Sequence, residues 1–223
     1  MAPFGDKARK YAGGFIDLSQ GTPVDPTPQF IQDAFSSASN SPSYPVVAGT
    51  ASLKDAIRKW SVENLGVTGD FDVLPTIGSK EFIALLPTFL QSKSVLYPKV
   101  AYPTYLVSAM MASAQATPVD IDASIWPKAD LAWLNSPSNP TGQVQTDQEL
   151  KACITWARKH QAILASDECY LSFSDDAKSI LALANGDNTG LLAVLSLSKR
   201  SNLAGYRAGF VVGDSKLIDQ IRQ

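Results

Sequence analysis

The sequence of 223 residues contains only two cysteines, one histidine and no long apolar run. Two cysteines are too few for a disulfide framework, and we expect them to be reduced in a cytoplasmic protein. The histidine, His160, closes a helix-like segment among polar neighbours, so we expect it at a helix end rather than in catalysis, and we expect no metal site.

No apolar run approaches the roughly 18 residues that a membrane span needs, and the N-terminus lacks the apolar part of a secretory signal. The sequence therefore predicts neither a membrane partner nor secretion.

Charge of either sign is also not in excess, because 19 Lys and Arg residues are balanced by 21 Asp and Glu residues. A formal net charge of −2 gives no reason to expect nucleic acid or an anionic membrane surface as a partner. Apolar residues make up 45% of the chain and charged residues 18%, which is ordinary for a globular protein with a buried core.

Short apolar runs alternate with helix-like segments along most of the chain. The predicted strands lie at 73–77, 95–97, 117–121, 132–134, 162–166, 192–197 and 208–212, and the predicted helices at 30–38, 52–64, 79–90 and 146–159. Thr146 and Glu149 have the spacing of a capping box at the start of the last helix. This alternation predicts an α/β fold with a largely parallel sheet. Ligands of such sheets bind at the carboxyl ends of the strands, so the residues just after the strands are the candidates for a site.

Lys199 and Arg207 follow the predicted strand 192–197. A lysine at a strand end is partly desolvated, which favours the neutral amine that forms an imine with an aldehyde. Arg207, with the hydroxyls of Ser196 and Ser198 nearby, could clamp a phosphate. Taken singly, Lys199 is better explained as a surface lysine after a strand, and Arg207 is only a weak indication of a phosphate site.

Asp167 follows another predicted strand, and its carboxylate could meet a cationic heterocycle and keep a ring nitrogen protonated. Tyr170 could then donate to an oxygen on the same ring. Asn139 lies in a loop that two prolines and a glycine hold in an irregular shape, so its amide has a fixed direction. Each residue also has a structural explanation: Asp167 as a turn cap, and the Asn139 loop as a plain connection.

Two further segments could complete a ligand site. Ser79 and Lys80 begin a predicted helix after Gly78, where free backbone N–H groups can bind an anion. Many strand–helix junctions have this composition and bind nothing. Tyr102 and Tyr105 could supply an aromatic plate for a planar ligand, or their rings could belong to the core.

The order and spacing of these motifs resemble the fold-type-I, class I and II aminotransferases, which use pyridoxal phosphate (PLP). The matching motifs are Tyr44-Pro45 with Gly49, Gly78-Ser-Lys-Glu81, Tyr102-Pro-Thr-Tyr105, Asn139-Pro-Thr-Gly142, Asp167-Glu-Cys-Tyr170 and Ser196-Leu-Ser-Lys199 with Arg207. The resemblance runs from about Leu18 to the last residue. It implies a three-layer α/β/α PLP-binding large domain over 46–223 and an N-terminal segment, 1–45, that contributes to a small domain and to active-site loops.

The resemblance also implies a role for each motif residue. Lys199 would form the Schiff base with PLP and shuttle protons, and Asp167 would pair with the pyridine nitrogen. Asn139 and Tyr170 would bind the 3′-oxygen, and Tyr102 would stack on the ring. The phosphate would be held by Ser79, Lys80, Ser196, Ser198 and Arg207. Because the family forms homodimers with shared sites, Tyr44 would reach the phosphate of the neighbouring subunit's cofactor. Gly21 and Asn139 would lie near the substrate.

The amino-acid sequences of three segments resemble one group within this family in particular. Ser196–Phe210, Val100–Tyr105 and Leu134–Gly142 are similar to the actinobacterial succinyldiaminopimelate aminotransferases of lysine biosynthesis. These pass an amino group from glutamate to N-succinyl-2-amino-6-oxopimelate.

The chain departs from the family in its length. Family members are longer, and their small domain carries the arginine that pairs with the substrate's α-carboxylate. Arg222 lies in the wrong context for that role, so we expect the chain to be incomplete relative to its family. Two alternatives stay open: a carbon–sulfur β-lyase of the same fold, and a chain that binds PLP or only a partner subunit without turnover. A dinucleotide-binding enzyme is disfavoured because no GxGxxG follows a strand.

Overall fold

The computed structural model describes residues 2–16, 21 and 23–223, and its centre is a seven-stranded sheet. The strands are β1 (Asp72–Ile77), β2 (Ser94–Pro98), β3 (Gln115–Val119), β4 (Leu131–Asn135), β5 (Ile163–Asp167), β6 (Leu191–Ser196) and β7 (Ala208–Gly213). Their order across the sheet is β1-β7-β6-β5-β4-β2-β3. Strand β7 runs opposite to the other six strands, which are parallel to one another, so the prediction of a largely parallel sheet is confirmed.

The α-helices of the described residues are α1 (Ala2–Arg9), α2 (Gln29–Ser37), α3 (Ala51–Leu65), α4 (Ser79–Phe89), α5 (Thr104–Met111), α6 (Asp147–His160), α7 (Ile180–Leu183), α8 (Leu197–Arg200) and α9 (Ser215–Arg222). Of these, α3, α6 and α7 cover one face of the sheet and α4, α5 and α9 the other, whereas α2 buries no residue. The predicted capping box begins α6: the Glu149 N–H donates to the Thr146 hydroxyl oxygen at 3.3 Å, and the Thr146 N–H donates to the Glu149 carboxylate at 2.7 Å. His160 ends that helix, as the sequence predicted.

The apolar core is divided by the sheet into two layers. One layer packs α3, α6 and α7 against the sheet through residues such as Ile57, Ile154 and Ile180. The other packs α4, α5 and α9 against the opposite face, through residues such as Ile83 and Ile218. Because both faces are covered, the central strands are apolar along their whole length, and every residue of β6 is buried. This is the three-layer α/β/α arrangement that the sequence predicted.

Two predicted strand bounds were wrong, and several helices were not predicted. The strand expected at 117–121 lies two residues earlier, because β3 is an edge strand whose polar Gln115 and Thr117 belong to the ladder with β2. Helix α5 was not predicted, since its sequence is too uniformly apolar to show a helical period. The strand expected to reach Leu197 ends at Ser196, whose hydroxyl oxygen accepts the Ser198 N–H at 3.1 Å and begins α8.

Two further observations concern what the described residues do not contain. None of the helices in this part of the chain combines the length and apolarity needed to cross a bilayer. Within the same residues, no three His, Cys, Asp or Glu side chains form a group that could hold a metal ion.

Candidate active site

The carboxyl ends of β1, β2, β4, β5 and β6 lie along one edge of the sheet, and a cavity of about 270 Å³ opens there. Its walls are Ser79, Lys80, Ile83, Tyr102, Asn139, Asp167, Cys169, Tyr170, Ser196, Ser198, Lys199, Ala204 and Arg207. All of the site residues predicted from the sequence line this cavity except Gly21 and Tyr44. Residues as far apart in the chain as Ser79 at the start of α4 and Arg207 just before β7 therefore meet where the motifs had predicted a single site.

Asp167 is the last residue of β5, and its side chain is buried, with 5% of the residue exposed. The Tyr105 hydroxyl donates to Asp167 Oδ2 at 2.7 Å, and the Cys169 backbone N–H donates to Oδ1 at 3.2 Å. Burial raises the pKa of Asp167 above its usual value, and these hydrogen bonds oppose the rise. Among the residues that the structure describes, no lysine or arginine forms an ion pair with Asp167. A buried carboxylate in this setting is a place for a cation on a ligand.

Lys199 lies in α8, directly after β6, and not at a strand end as predicted. The Nζ ammonium donates to the carbonyl oxygen of Gly21 at 2.7 Å. This contact brings Gly21 to the rim of the cavity, although Gly21 does not line it. The resemblance had placed Gly21 beside a substrate carboxylate, and that role stays a prediction.

One end of the cavity is formed by the start of α4 and by Arg207. We call it the anion-binding end, because its groups suit an anion. Ser79 begins α4 after Gly78, which has a left-handed φ of 71°, and the first N–H groups of a helix have no acceptor within the helix. The Arg207 Nη2 donates to Glu81 Oε2 at 2.9 Å, and the Nη1 donates to the Ala204 carbonyl at 3.1 Å. A Cβ on Gly78 would collide with the Arg207 guanidinium, so only glycine combines this φ with this approach. The charged groups of Lys80 and Arg207 and the first N–H groups of α4 thus face the same part of the cavity.

The backbone of Asn139 is held by Asn135, which was not among the predicted site residues. Asn135 ends β4, and its Oδ1 accepts the Asn139 backbone N–H at 2.7 Å. Its Nδ2 donates to the backbone carbonyls of Asp167 at 2.9 Å and of Pro137 at 3.2 Å. A buried asparagine thereby joins the Asn139 loop to the end of β5.

The comparisons with known proteins agree with this geometry. A sequence profile described as aminotransferase class I and II matches residues 14–223. The chain belongs to the class I and II aminotransferases.

Individual relatives are similar in sequence, and one solved structure is similar in fold. A 4-dedimethylamino-4-oxo-anhydrotetracycline transaminase of Streptomyces rimosus is 42% identical over 100% of the chain and 65% of its own length. A probable aminotransferase of Mycobacterium tuberculosis is 45% identical over 96% of the chain and 54% of its own length. The solved structure of a probable N-succinyldiaminopimelate aminotransferase from Thermus thermophilus superposes with a TM-score of 0.86 at 31% identity, over 97% of the chain and 64% of its own. The chain therefore spans less than two thirds of these aminotransferases.

Members of the aminotransferase family use PLP, and the cavity fits that cofactor. Asp167 offers a buried negative charge for a pyridinium nitrogen, Lys199 offers an amine for the aldehyde, and the end near Arg207 offers positive charge for a phosphate. The ring nitrogen, the aldehyde and the phosphate of PLP thus each have a complementary group in one cavity.

The aminotransferase motif Tyr102-Pro-Thr-Tyr105 contains two tyrosines with different environments. Tyr102 lines the cavity, whereas Tyr105 is fully buried, stacks on Trp133 with 5.3 Å between ring centroids, and donates to Asp167. Tyr105 therefore belongs to the core, whereas the role of Tyr102 as an aromatic plate stays a prediction. The contact of Tyr105 with Asp167 was missed because a buried tyrosine gives no sign in the sequence of which carboxylate it meets.

Two neighbours of Asp167 differ in their relation to the cavity. Cys169 lines it, and its Sγ donates to the Ser79 hydroxyl at 3.2 Å; burial and the charge of Asp167 raise the pKa of this thiol well above its usual value. The Glu168 carboxylate accepts the Ile180 N–H at 3.0 Å, and burial raises its pKa to about 7. Glu168 does not line the cavity, and we assign it no part in the site.

Tyr170 contributes a hydroxyl to the cavity. Burial raises its pKa above the usual value, with the thiol of Cys169 and the carboxylate of Asp167 as further causes. The phenol therefore remains a protonated hydrogen-bond donor at neutral pH.

Tyr44 is fully exposed and does not approach this chain's own cavity. The resemblance had assigned it to the cofactor of a neighbouring subunit, and that role stays a prediction. Leu18, where the resemblance begins, lies outside the described residues.

Another cavity of about 170 Å³ opens beside the ends of β2, β3 and β4. Its lysine and aspartate, Lys99 and Asp120, form an ion pair at 3.7 Å. The predicted site residues that line the cavity at Lys199 are not among the residues that line this one.

Proposed function

We propose that the chain is the cofactor-binding part of a PLP-dependent aminotransferase that moves an amino group between glutamate or 2-oxoglutarate and another amino or keto acid. The observation that carries this proposal is the buried carboxylate of Asp167 in the same cavity as the Lys199 amine and the anion-binding end at Arg207. When bound, PLP supplies an electron-withdrawing ring that stabilises negative charge at the substrate's Cα.

Each side chain has a proposed part in this chemistry. Lys199 Nζ would hold the cofactor covalently and carry the proton at the substrate's Cα, after release from the Gly21 carbonyl. Asp167 would keep the proton on the ring nitrogen. The Asn139 amide and the Tyr170 hydroxyl would donate to the 3′-oxygen, and Tyr102 would cover the ring.

The phosphate of PLP would lie at the anion-binding end. Its proposed ligands are Ser79, Lys80, Ser196, Ser198 and Arg207. The hydrogen bond from Cys169 to the Ser79 oxygen supports this assignment, because it leaves the Ser79 proton free to point at the phosphate.

Transamination predicts a defined stoichiometry. Incubating the full-length, PLP-loaded protein with glutamate should produce 2-oxoglutarate and aminated cofactor in a one-to-one ratio, without ammonia. Mass spectrometry of the cofactor and assay of the keto acid give the two quantities. Release of ammonia and pyruvate from a β-substituted amino acid would instead identify a carbon–sulfur β-lyase, and binding of PLP with no half-reaction on any amino acid would identify a non-catalytic protein.

For the amino acceptor we propose N-succinyl-2-amino-6-oxopimelate, which would place the enzyme in lysine biosynthesis. This choice of acceptor is supported by the amino-acid sequence of Ser196–Phe210 and by the similarity to the Thermus thermophilus structure. The Streptomyces rimosus relative acts on a tetracycline intermediate, according to its name, so acceptors of both classes belong in the substrate panel.

We further propose a homodimer with shared active sites. The complete exposure of Tyr44 supports it, because this ring is free to reach a second subunit. We also propose that residues 1–45 contribute to a small domain rather than to the large domain. Sedimentation of the full-length protein should give twice the monomer mass, and Tyr44→Ala should weaken PLP binding without dissociating the dimer. An active, PLP-loaded monomer would contradict this proposal.

A further inference from the structure

The Arg207 guanidinium is held between two acceptors before any ligand is considered. The Nη2 donates to Glu81 Oε2 at 2.9 Å and the Nη1 donates to the Ala204 carbonyl at 3.1 Å. Arg207 itself has a left-handed φ of 54°. Because Gly78 has no side chain, the Arg207 guanidinium can lie directly against its backbone. The position of the positive charge is thus fixed by two hydrogen bonds, beside a glycine that leaves room for it.

Glu81 lies in the first turn of α4, the helix whose N-terminal amides face the anion-binding end. A carboxylate in this place has an electrostatic cost, because it repels the phosphate that the site is proposed to bind. It also has a structural benefit, because its hydrogen bond restricts the rotamers of a long, flexible arginine side chain before the phosphate binds. Which of the two effects dominates determines what Glu81 does.

We propose that Glu81 is a positioning residue for the cofactor's phosphate, and that it acts by holding the Arg207 guanidinium at the anion-binding end of the cavity. This inference rests on the proposed function. The ion pair is half-exposed, with 54% of the Glu81 side chain and 42% of the Arg207 side chain accessible, so its carboxylate charge is screened while its hydrogen bond is retained. The benefit of orientation therefore exceeds the cost of repulsion.

The test measures dissociation constants of PLP and of pyridoxal, which lacks the phosphate, on the full-length protein by changes in absorbance or tryptophan fluorescence. We expect Glu81→Ala to weaken PLP binding about fivefold and to leave pyridoxal binding unchanged. Glu81→Gln should retain most of the PLP affinity, because its amide oxygen still accepts from Arg207. Glu63→Ala is the matched control, since Glu63 forms a solvent-exposed pair with Lys59 on α3.

A double variant separates this inference from the function on which it rests. If Glu81 acts through Arg207, then Glu81→Ala has no further effect on PLP binding in an Arg207→Ala background. Tighter PLP binding by Glu81→Ala would show a competing anion, and equal weakening for PLP and pyridoxal would show a merely structural role; either overturns the proposal. If Arg207→Ala does not change PLP binding, the assignment of Arg207 to the phosphate is wrong as well. If Arg207→Ala weakens PLP binding but Glu81→Ala has no effect, only the inference about Glu81 is wrong.

Discussion

Replacing Asp167 with alanine is expected to slow the half-reaction with glutamate by about a hundred- to a thousand-fold while PLP remains bound. The variant lacks the buried negative charge that would keep the ring nitrogen protonated, so the pKa of that nitrogen falls. A neutral ring nitrogen accepts less of the negative charge that develops when the substrate's Cα loses its proton. The covalent link to Lys199 and the anion-binding end are intact, which is why retention of the cofactor should change little.

The measurement is a single-turnover reaction on full-length protein at saturating PLP. Asp167→Asn is the matched variant, because it keeps the size of the side chain and removes the charge; it should be nearly as slow. The alanine variant also leaves the buried Tyr105 hydroxyl without its acceptor, at a cost of about 1–3 kcal/mol in the free energy of unfolding. A variant that loses PLP but keeps a near wild-type rate would show that Asp167 is a structural cap and not part of the chemistry.

Replacing Lys199 with alanine should have the largest effect, a fall of about a thousandfold or more in the same half-reaction, because one amine is proposed both to hold the cofactor and to carry the proton. PLP should still bind through its phosphate. Lys80→Ala is the control, since Lys80 lines the same cavity at the anion-binding end. That variant should bind PLP more weakly and keep most of its single-turnover rate. The reverse pattern, a slow Lys80→Ala and a fast Lys199→Ala, would exchange the two assignments.

The fold could be predicted from the sequence because its central strands are covered on both faces. Full burial requires a run of apolar residues, and such runs are visible without any knowledge of the partner strand, as in β6. Where burial is one-sided, this signal fails, and the edge strand β3 was predicted two residues too late. Helix α5 was missed for the opposite reason, because apolar residues on nearly every side leave no helical period.

The site residues at strand ends could be predicted because they recur in short motifs, but their supporting contacts could not. Tyr105 is 62 residues from Asp167 in the chain, and Glu81 is 126 residues from Arg207. Such pairs exist only once the sheet has brought the strand ends together. Asn135 is a similar case, since its role depends on the register that places β4 beside β5. Most of the residues that line the cavity were therefore predicted, although Ile83, Cys169 and Ala204 were not, and the residues that orient them required the structure.

Reduction with borohydride tests the assignment of Lys199 most directly. The protein is loaded with PLP, reduced and digested, and mass spectrometry locates the lysine that carries the cofactor. We predict that the visible absorbance is lost on reduction and that the label lies on Lys199, which is in the same cavity as Asp167 and Arg207. Label on Lys80, or on any other lysine, would contradict the proposed site.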